Sequence, residues 1–181
     1  MEQLIKKSVV IRGSLTKAIN KNGKTKKEIA RRIKVSQQSL SDWTTPLNTK
    51  PVTLENAQLL SEYFRDSEFT LQVIHEFFGL FKSIDGEMYR RDPSSLDKLQ
   101  MIESEERKQK KQEVEKILLK QVNFLTPDDR QQIIDYAYEF LDEIMVEVTL
   151  ISALCEMLGI DIRQLSEQRL SYWIKQGYMK G

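Results

Sequence analysis

Residues 25–43 read TKKEIARRIKVSQQSLSDW, and the folding of this stretch decides how the rest is read. Thr25 with Glu28 three residues on has the spacing of a reciprocal helix cap, in which each side chain satisfies a free backbone N–H of the other. Ile29, Ala30 and Ile33 then give a helix an apolar stripe, and small Ala30 lets a second helix approach closely. Val35 plugs the turn. Ser36 opens a short helix that Leu40 and Trp43 anchor, and Thr44-Thr45-Pro46 ends it, because the residue before proline avoids helix. Anchoring through Leu40 and Trp43 leaves Gln37, Gln38, Ser41 and Asp42 on the outward side. Glutamine offers a donor and an acceptor together. Adenine displays N6–H and N7 side by side in the major groove, so a Gln pair at the start of an exposed helix suits base reading.

Working outward, helical spacing continues on both sides. Ile11, Leu15, Ala18 and Ile19 fall at i, i+4, i+7, i+8 before Asn22-Gly23, a helix stop. After a loop to Pro51, Thr53 caps a fourth helix bearing Leu54, Ala57, Leu60 and Phe64. Asp66 or Ser67 opens a fifth with Phe69, Val73, Ile74, Phe77, Phe78 and Phe81. Residues 1–50 hold twelve Lys and Arg against three Asp and Glu, a charge of +9. The chain's net +1 therefore leaves −8 for residues 51–181. A basic head on an acidic body fits either a polyanion-binding head or a solvated lysine face.

The segment resembles the Cro/CI-type helix-turn-helix of lambdoid phage repressors and their bacterial relatives, the XRE family. Ser36-Gln37-Gln38-Ser39, Leu40, Pro51, Glu28, Ala30 and Gly23 carry the resemblance. It covers about residues 9–65. It implies a five-helix domain in which Gln37, Gln38 and Asp42, with Ser41 on the same face, read bases. Lys26 and the loop residues Thr49 and Lys50 would hold phosphate, and Thr25, Lys27 and Ser39 complete the expected phosphate contacts. Helix N-termini favour phosphate through their free N–H groups. The sequence departs from the pattern at Lys34, where the turn often has glycine, at Thr44-Thr45-Pro46, and at Asp42, whose charge would repel phosphate. Asp42 could instead accept from cytosine N4 or serve a local contact.

Residues 82–95, KSIDGEMYRRDPSS, read as a hinge, with a polar helix starting near Ser94 or Ser95. From Glu103 to Glu113 there is no apolar residue. Such a stretch is a solvent-bridging helix or a flexible linker. Thr126-Pro127-Asp128-Asp129 is a strong helix start, continued by Ile133, Ile134, Ala137, Phe140, Leu141, Ile144 and Met145. Residues 146–151, VEVTLI, alternate like a strand but have no second strand to pair with, and are read as helix. Gly159 ends that segment, and Asp161 to Lys175 form a last helix. The expectation is an all-α protein with three parts: a helix-turn-helix domain at 1–81, a hinge and polar helical linker at 82–113, and a helical self-association domain at 114–181.

No catalytic residue, metal site or cofactor is expected. His75 stands alone, without the His/Cys cluster a metal needs, and reads as a partly buried structural residue. The sole cysteine, Cys155, excludes an internal disulfide and reads as a buried small apolar residue. No phosphate-cradling glycine motif occurs. There is no Ala-Gly cleavage dipeptide, so a self-cleaving peptidase half is not expected. Phe69, Phe77, Phe78 and Phe81 read as core rather than dimer surface. Tyr136, Tyr138, Phe140, Tyr172, Trp173 and Tyr178 read as core rather than an effector pocket. MEQLIKKSVVIRGS is no secretory signal, and no run of about 18 apolar residues suggests a membrane span. The expected function is a cytoplasmic transcriptional regulator, a homodimeric repressor on a double-stranded DNA operator. The alternative is an antitoxin or anti-repressor that binds a protein partner through its C-terminal half, with DNA binding secondary.

Overall fold

The computed structural model describes residues 6–47 and 49–181; residues 1–5 of the expected first domain lie outside it. The chain is all-α apart from one short strand pair. The helices are α1 (Arg12–Asn22), α2 (Lys26–Arg32), α3 (Gln37–Thr44), α4 (Leu54–Phe64), α5 (Ser67–Phe78), α6 (Pro93–Val114), α7 (Pro127–Leu158) and α8 (Ile162–Lys175). Residues 103–113 are helical within α6, and 146–151 within α7. α6 begins earlier than Ser94: Asp92 caps it by accepting from the Ser95 amide at 3.0 Å, and Pro93 occupies the first turn, where its missing N–H costs nothing.

Contacts divide the chain into two compact units. One runs to Lys82 and takes in Cys155–Gly181; the other is Ser83–Leu154. The sequence reading grouped 114–181 as one domain, whereas the contacts divide that stretch after Leu154, inside α7.

In the first unit α1 to α5 enclose one core of Leu15, Ile29, Leu40, Leu60, Phe69 and Phe77 with their neighbours. Strands β1 (Ser8–Val9) and β2 (Val52–Thr53) pair antiparallel, Ser8 opposite Thr53 and Val9 opposite Val52. Both valines are buried, so the pair fixes the chain entering α1 and α4. The C-terminal segment is held by specific bonds. The Ile162 amide donates to Ser67 Oγ at 2.9 Å, Arg163 donates to the Ser61 carbonyl at 3.2 Å, and Lys21 pairs with Asp66 and Glu156. Cys155 is buried, which pushes its thiol above the usual range.

In the second unit Leu96, Leu99, Val114 and Val146 are buried, as is Ile117 beyond the end of α6. Arg107 pairs with buried Glu143, and Gln100 donates to Glu143 and Glu147 at 3.3 Å. Thr126 and Asp129 cap α7 reciprocally, as the sequence start signal implies, and Lys120 grips Asp129 at 2.8 Å. The Lys120 ammonium and the Thr126 amide hold the Asp129 carboxyl down at about 2.

Phe69 and Phe77 are core, but Phe78 and Phe81 are exposed. Tyr138, Phe140, Tyr172 and Tyr178 are exposed and Tyr136 and Trp173 half-buried, so these six are not the core residues that their aromatic character suggested. Three find partners near the surface instead. Tyr136 and Phe140 meet edge-on at 5.0 Å with Arg107 over Phe140, and Arg169 covers Tyr172.

Candidate nucleic-acid interface

The candidate site is built by α2, the turn after it, α3 and the loop to Pro51. Thr25 and Glu28 form the reciprocal cap of α2: the Glu28 amide donates to Thr25 Oγ1 at 3.2 Å, and Glu28 Oε2 accepts from the Thr25 amide at 2.9 Å. Those amide and hydroxyl bonds draw the Glu28 carboxyl below its ordinary range. Lys34, in the turn, has φ of 59°, the left-handed region. This is the position where glycine is common in the resembling family, and the chain adopts the required bend with a lysine. The Val35 amide then donates to the Ala30 carbonyl at 3.0 Å, closing the turn.

Ser36 caps α3 by accepting from the Ser39 amide at 2.9 Å. Leu40 is fully buried and Trp43 nearly so, while α2 and α1 pack against the helix. The anchored face fixes the other. Gln37 and Gln38 are exposed; Ser41 and Asp42 are half-buried. This is the arrangement expected from placing Leu40 and Trp43 three residues apart on an eight-residue helix.

Seven of the expected contact residues already have partners within the chain. Gln38 Nε2 donates to Asp42 Oδ1 at 2.7 Å, and Lys50 Nζ donates to Asp42 Oδ2 at 2.6 Å. The Lys50 amide also donates to the Asp42 carbonyl at 3.0 Å, which ties the loop to α3. The Lys50 ammonium, and after it the Gln38 amide, lower the Asp42 carboxyl, so it is ionised at neutral pH. Lys26 Nζ donates to Thr44 Oγ1 at 2.6 Å. Ser39 Oγ lies 2.8 Å from Ser36 Oγ, and Thr25 Oγ1 donates to Glu28. In the loop Thr49 Oγ1 donates to the Thr45 carbonyl. Lys27 is exposed on the first turn of α2.

The structure thus brings Gln38, Asp42 and Lys50 into one chain of hydrogen bonds, a link that sequence reading missed. The only sequence signal for it was the (i, i+4) spacing of Gln38 and Asp42. Asp42 answers the question its charge raised: it makes a local contact.

Away from this surface, His75 is half-buried and its Nδ1 donates to the Leu80 carbonyl at 2.5 Å. No group of three or more His, Cys, Asp or Glu able to hold a metal ion occurs among the described residues. No helix among them is long and apolar enough to cross a membrane. No protein-family model, curated protein or solved structure matches the chain.

Proposed function

We propose that the chain is a sequence-specific DNA-binding transcriptional regulator, a cytoplasmic dimeric repressor of a phage, mobile element or bacterial operon. The observation that carries this reading is the exposed Gln37-Gln38 pair at the start of a helix whose opposite face is locked by Leu40 and Trp43. A rigid helix with polar residues at its exposed N-terminus can enter the major groove and meet base edges there.

Gln38 keeps its reading capacity despite its bond to Asp42. A carboxamide has two N–H donors and one oxygen. Asp42 takes one N–H, which leaves an N–H and the oxygen for adenine N7 and N6–H. Asp42 therefore acts as a positioning residue that sets which end of the amide is nitrogen, rather than as a base reader. Lys27, Lys26 and Lys50 supply the cationic margin. For Lys26 and Lys50 a phosphate oxygen would compete with Thr44 and Asp42, so each gains less from DNA than a lysine without an internal partner. The chemistry is binding alone, with no catalytic group, metal or cofactor, and repression follows from occluding the polymerase.

The test is selection of bound duplexes from a random pool by the full chain, followed by anisotropy on the enriched duplex across a salt series. An enriched motif whose affinity falls log-linearly with salt supports the reading. A chain that binds every duplex alike, or none, contradicts it.

A further inference from the structure

Two glutamines stand side by side at the start of α3, and the fold treats them differently. Gln37 is exposed and has no hydrogen-bond partner among the described residues. Gln38 is exposed too, but its Nε2 donates to Asp42 Oδ1 at 2.7 Å, one helical turn on. Asp42 is itself held from the loop. Lys50 Nζ donates to its second carboxylate oxygen at 2.6 Å, and the Lys50 amide donates to the Asp42 carbonyl at 3.0 Å. An ionised carboxylate only accepts, so Gln38 turns its nitrogen, not its oxygen, toward Asp42.

Counting donors then separates the purines. In the major groove adenine shows one acceptor, N7, and one donor, N6–H, whereas guanine shows two acceptors, N7 and O6. A carboxamide has two N–H groups and one oxygen. With one N–H given to Asp42, Gln38 keeps one N–H and its oxygen, the set that adenine requires. Guanine requires two donors, and Gln38 supplies the second only by giving up Asp42. A hydrogen bond to an ionised group is stronger than a neutral one, so that exchange is unfavourable. Gln37, with both N–H groups uncommitted, meets either purine.

We infer that Asp42, braced by Lys50, makes Gln38 a reader of adenine that rejects guanine, and leaves Gln37 tolerant of both. The inference rests on the regulator reading and deepens it, by naming the base that one residue selects and the residue that enforces the choice. Asp42 acts through Gln38 and touches no base. Lys50 has a second task in this arrangement: it offsets the carboxylate's charge, so that an acid can lie on a face turned toward DNA.

The test uses the full chain and the duplex it selects. Gln38→Ala first locates the pair that Gln38 reads, as the pair at which base preference is lost. There adenine is replaced by guanine, and by hypoxanthine paired with cytosine. Hypoxanthine shows guanine's major-groove acceptors without its minor-groove amino group, so it isolates the edge that Gln38 meets. By anisotropy the native chain should favour adenine over either by about 10-fold or more. Asp42→Ala should bring adenine and hypoxanthine to within about 3-fold of each other, leave the pair read by Gln37 unmoved, and add nothing in a Gln38→Ala chain. Should the alanine variant fail to fold, Asp42→Asn replaces it: an amide donates as well as accepts, no longer dictates the nitrogen, and should relax the same pair. The proposal is overturned if Gln38→Ala levels no pair, if the native chain takes hypoxanthine as readily as adenine, or if the Asp42 variants keep the full discrimination. A change at a pair that Gln38→Ala leaves alone also overturns it, since Asp42 would then read a base itself. In each of these outcomes the chain still selects a duplex and the regulator reading stands, whereas a chain with no preferred duplex defeats both.

Discussion

Helix α3 has 8 residues and helix α7 has 32. Both carry buried and exposed residues, but the exposed residues differ in kind. The outward side of α3 is glutamine and serine, with a carboxylate already neutralised by Lys50. The exposed residues of α7 include the apolar Ile134, Tyr138, Leu141 and Ile151. The buried residues of each helix explain stability, and on α3 the exposed ones carry the proposed recognition. A polar, donor-rich face suits base edges, which must be met by hydrogen bonds. The charge split along the chain follows the same line, +9 in residues 1–50 and −8 beyond.

That contrast can be broken by substitution, and the largest effect belongs to the anchor of α3. Leu40→Ala empties a fully buried position and should destabilise the first unit by about 2–5 kcal/mol. Leu141→Ala, at an exposed position of α7, should change stability by no more than about 0.5 kcal/mol. Thermal melts followed by circular dichroism measure both, and equal losses would remove the distinction between anchored and exposed positions.

Next in size is the cap of α2. Thr25→Ala removes both the acceptor for the Glu28 amide and the hydroxyl bond to Glu28, and should cost about 1 kcal/mol in denaturant titration. A smaller effect of opposite sign is expected at the turn. Lys34 sits at φ 59°, where a Cβ is disfavoured, and glycine relieves that strain at the cost of a more flexible unfolded chain. Lys34→Gly should therefore stabilise the first unit by about 0.5–1 kcal/mol.

A further effect is one of pH, and it concerns the second unit. Asp129 has its carboxyl lowered from 3.8 to about 2 by Lys120 and the Thr126 amide. A group depressed on folding contributes stability that is fully present above its unfolded value. That contribution is lost as pH falls through its folded value. The melting temperature should thus decline between about pH 4 and pH 2, and Asp129→Asn should lower the plateau and flatten that part of the curve. A native profile that is flat there would show that Lys120 and Asp129 do not interact.

These features were not equally legible in the sequence. The five N-terminal helices were, because each is announced locally: Thr25, Ser36, Thr53 and Asp66 as caps, Gly23 as a stop at φ 69°. The helical reading of 146–151 also held, since a strand there would have lacked a partner. The β1–β2 pair was not legible, because two residues per strand cannot show an alternation. Nor was Arg65, which ends α4 at φ 50° where glycine or asparagine would have signalled the stop. Residues 155–181 join the first unit through bonds that span about a hundred positions, such as Arg163 to Ser61, and no local pattern reports them. At the candidate interface the outward face followed from Leu40 and Trp43. The internal partners of Lys26, Asp42 and Lys50 depend on how the loop returns to α3, a tertiary fact.

If Gln37 and Gln38 read bases, as proposed, the direct measurement compares the native chain with Gln37→Ala/Gln38→Ala by anisotropy, on the selected duplex and a scrambled one across a salt series. The double variant should lose its preference for the selected duplex. It should bind both duplexes with the weak affinity the native chain shows for the scrambled one, and with a similar salt slope, because its lysines are untouched. A double variant that still prefers the selected duplex by the native margin would show that Gln37 and Gln38 do not read bases, and base reading would then have to lie elsewhere.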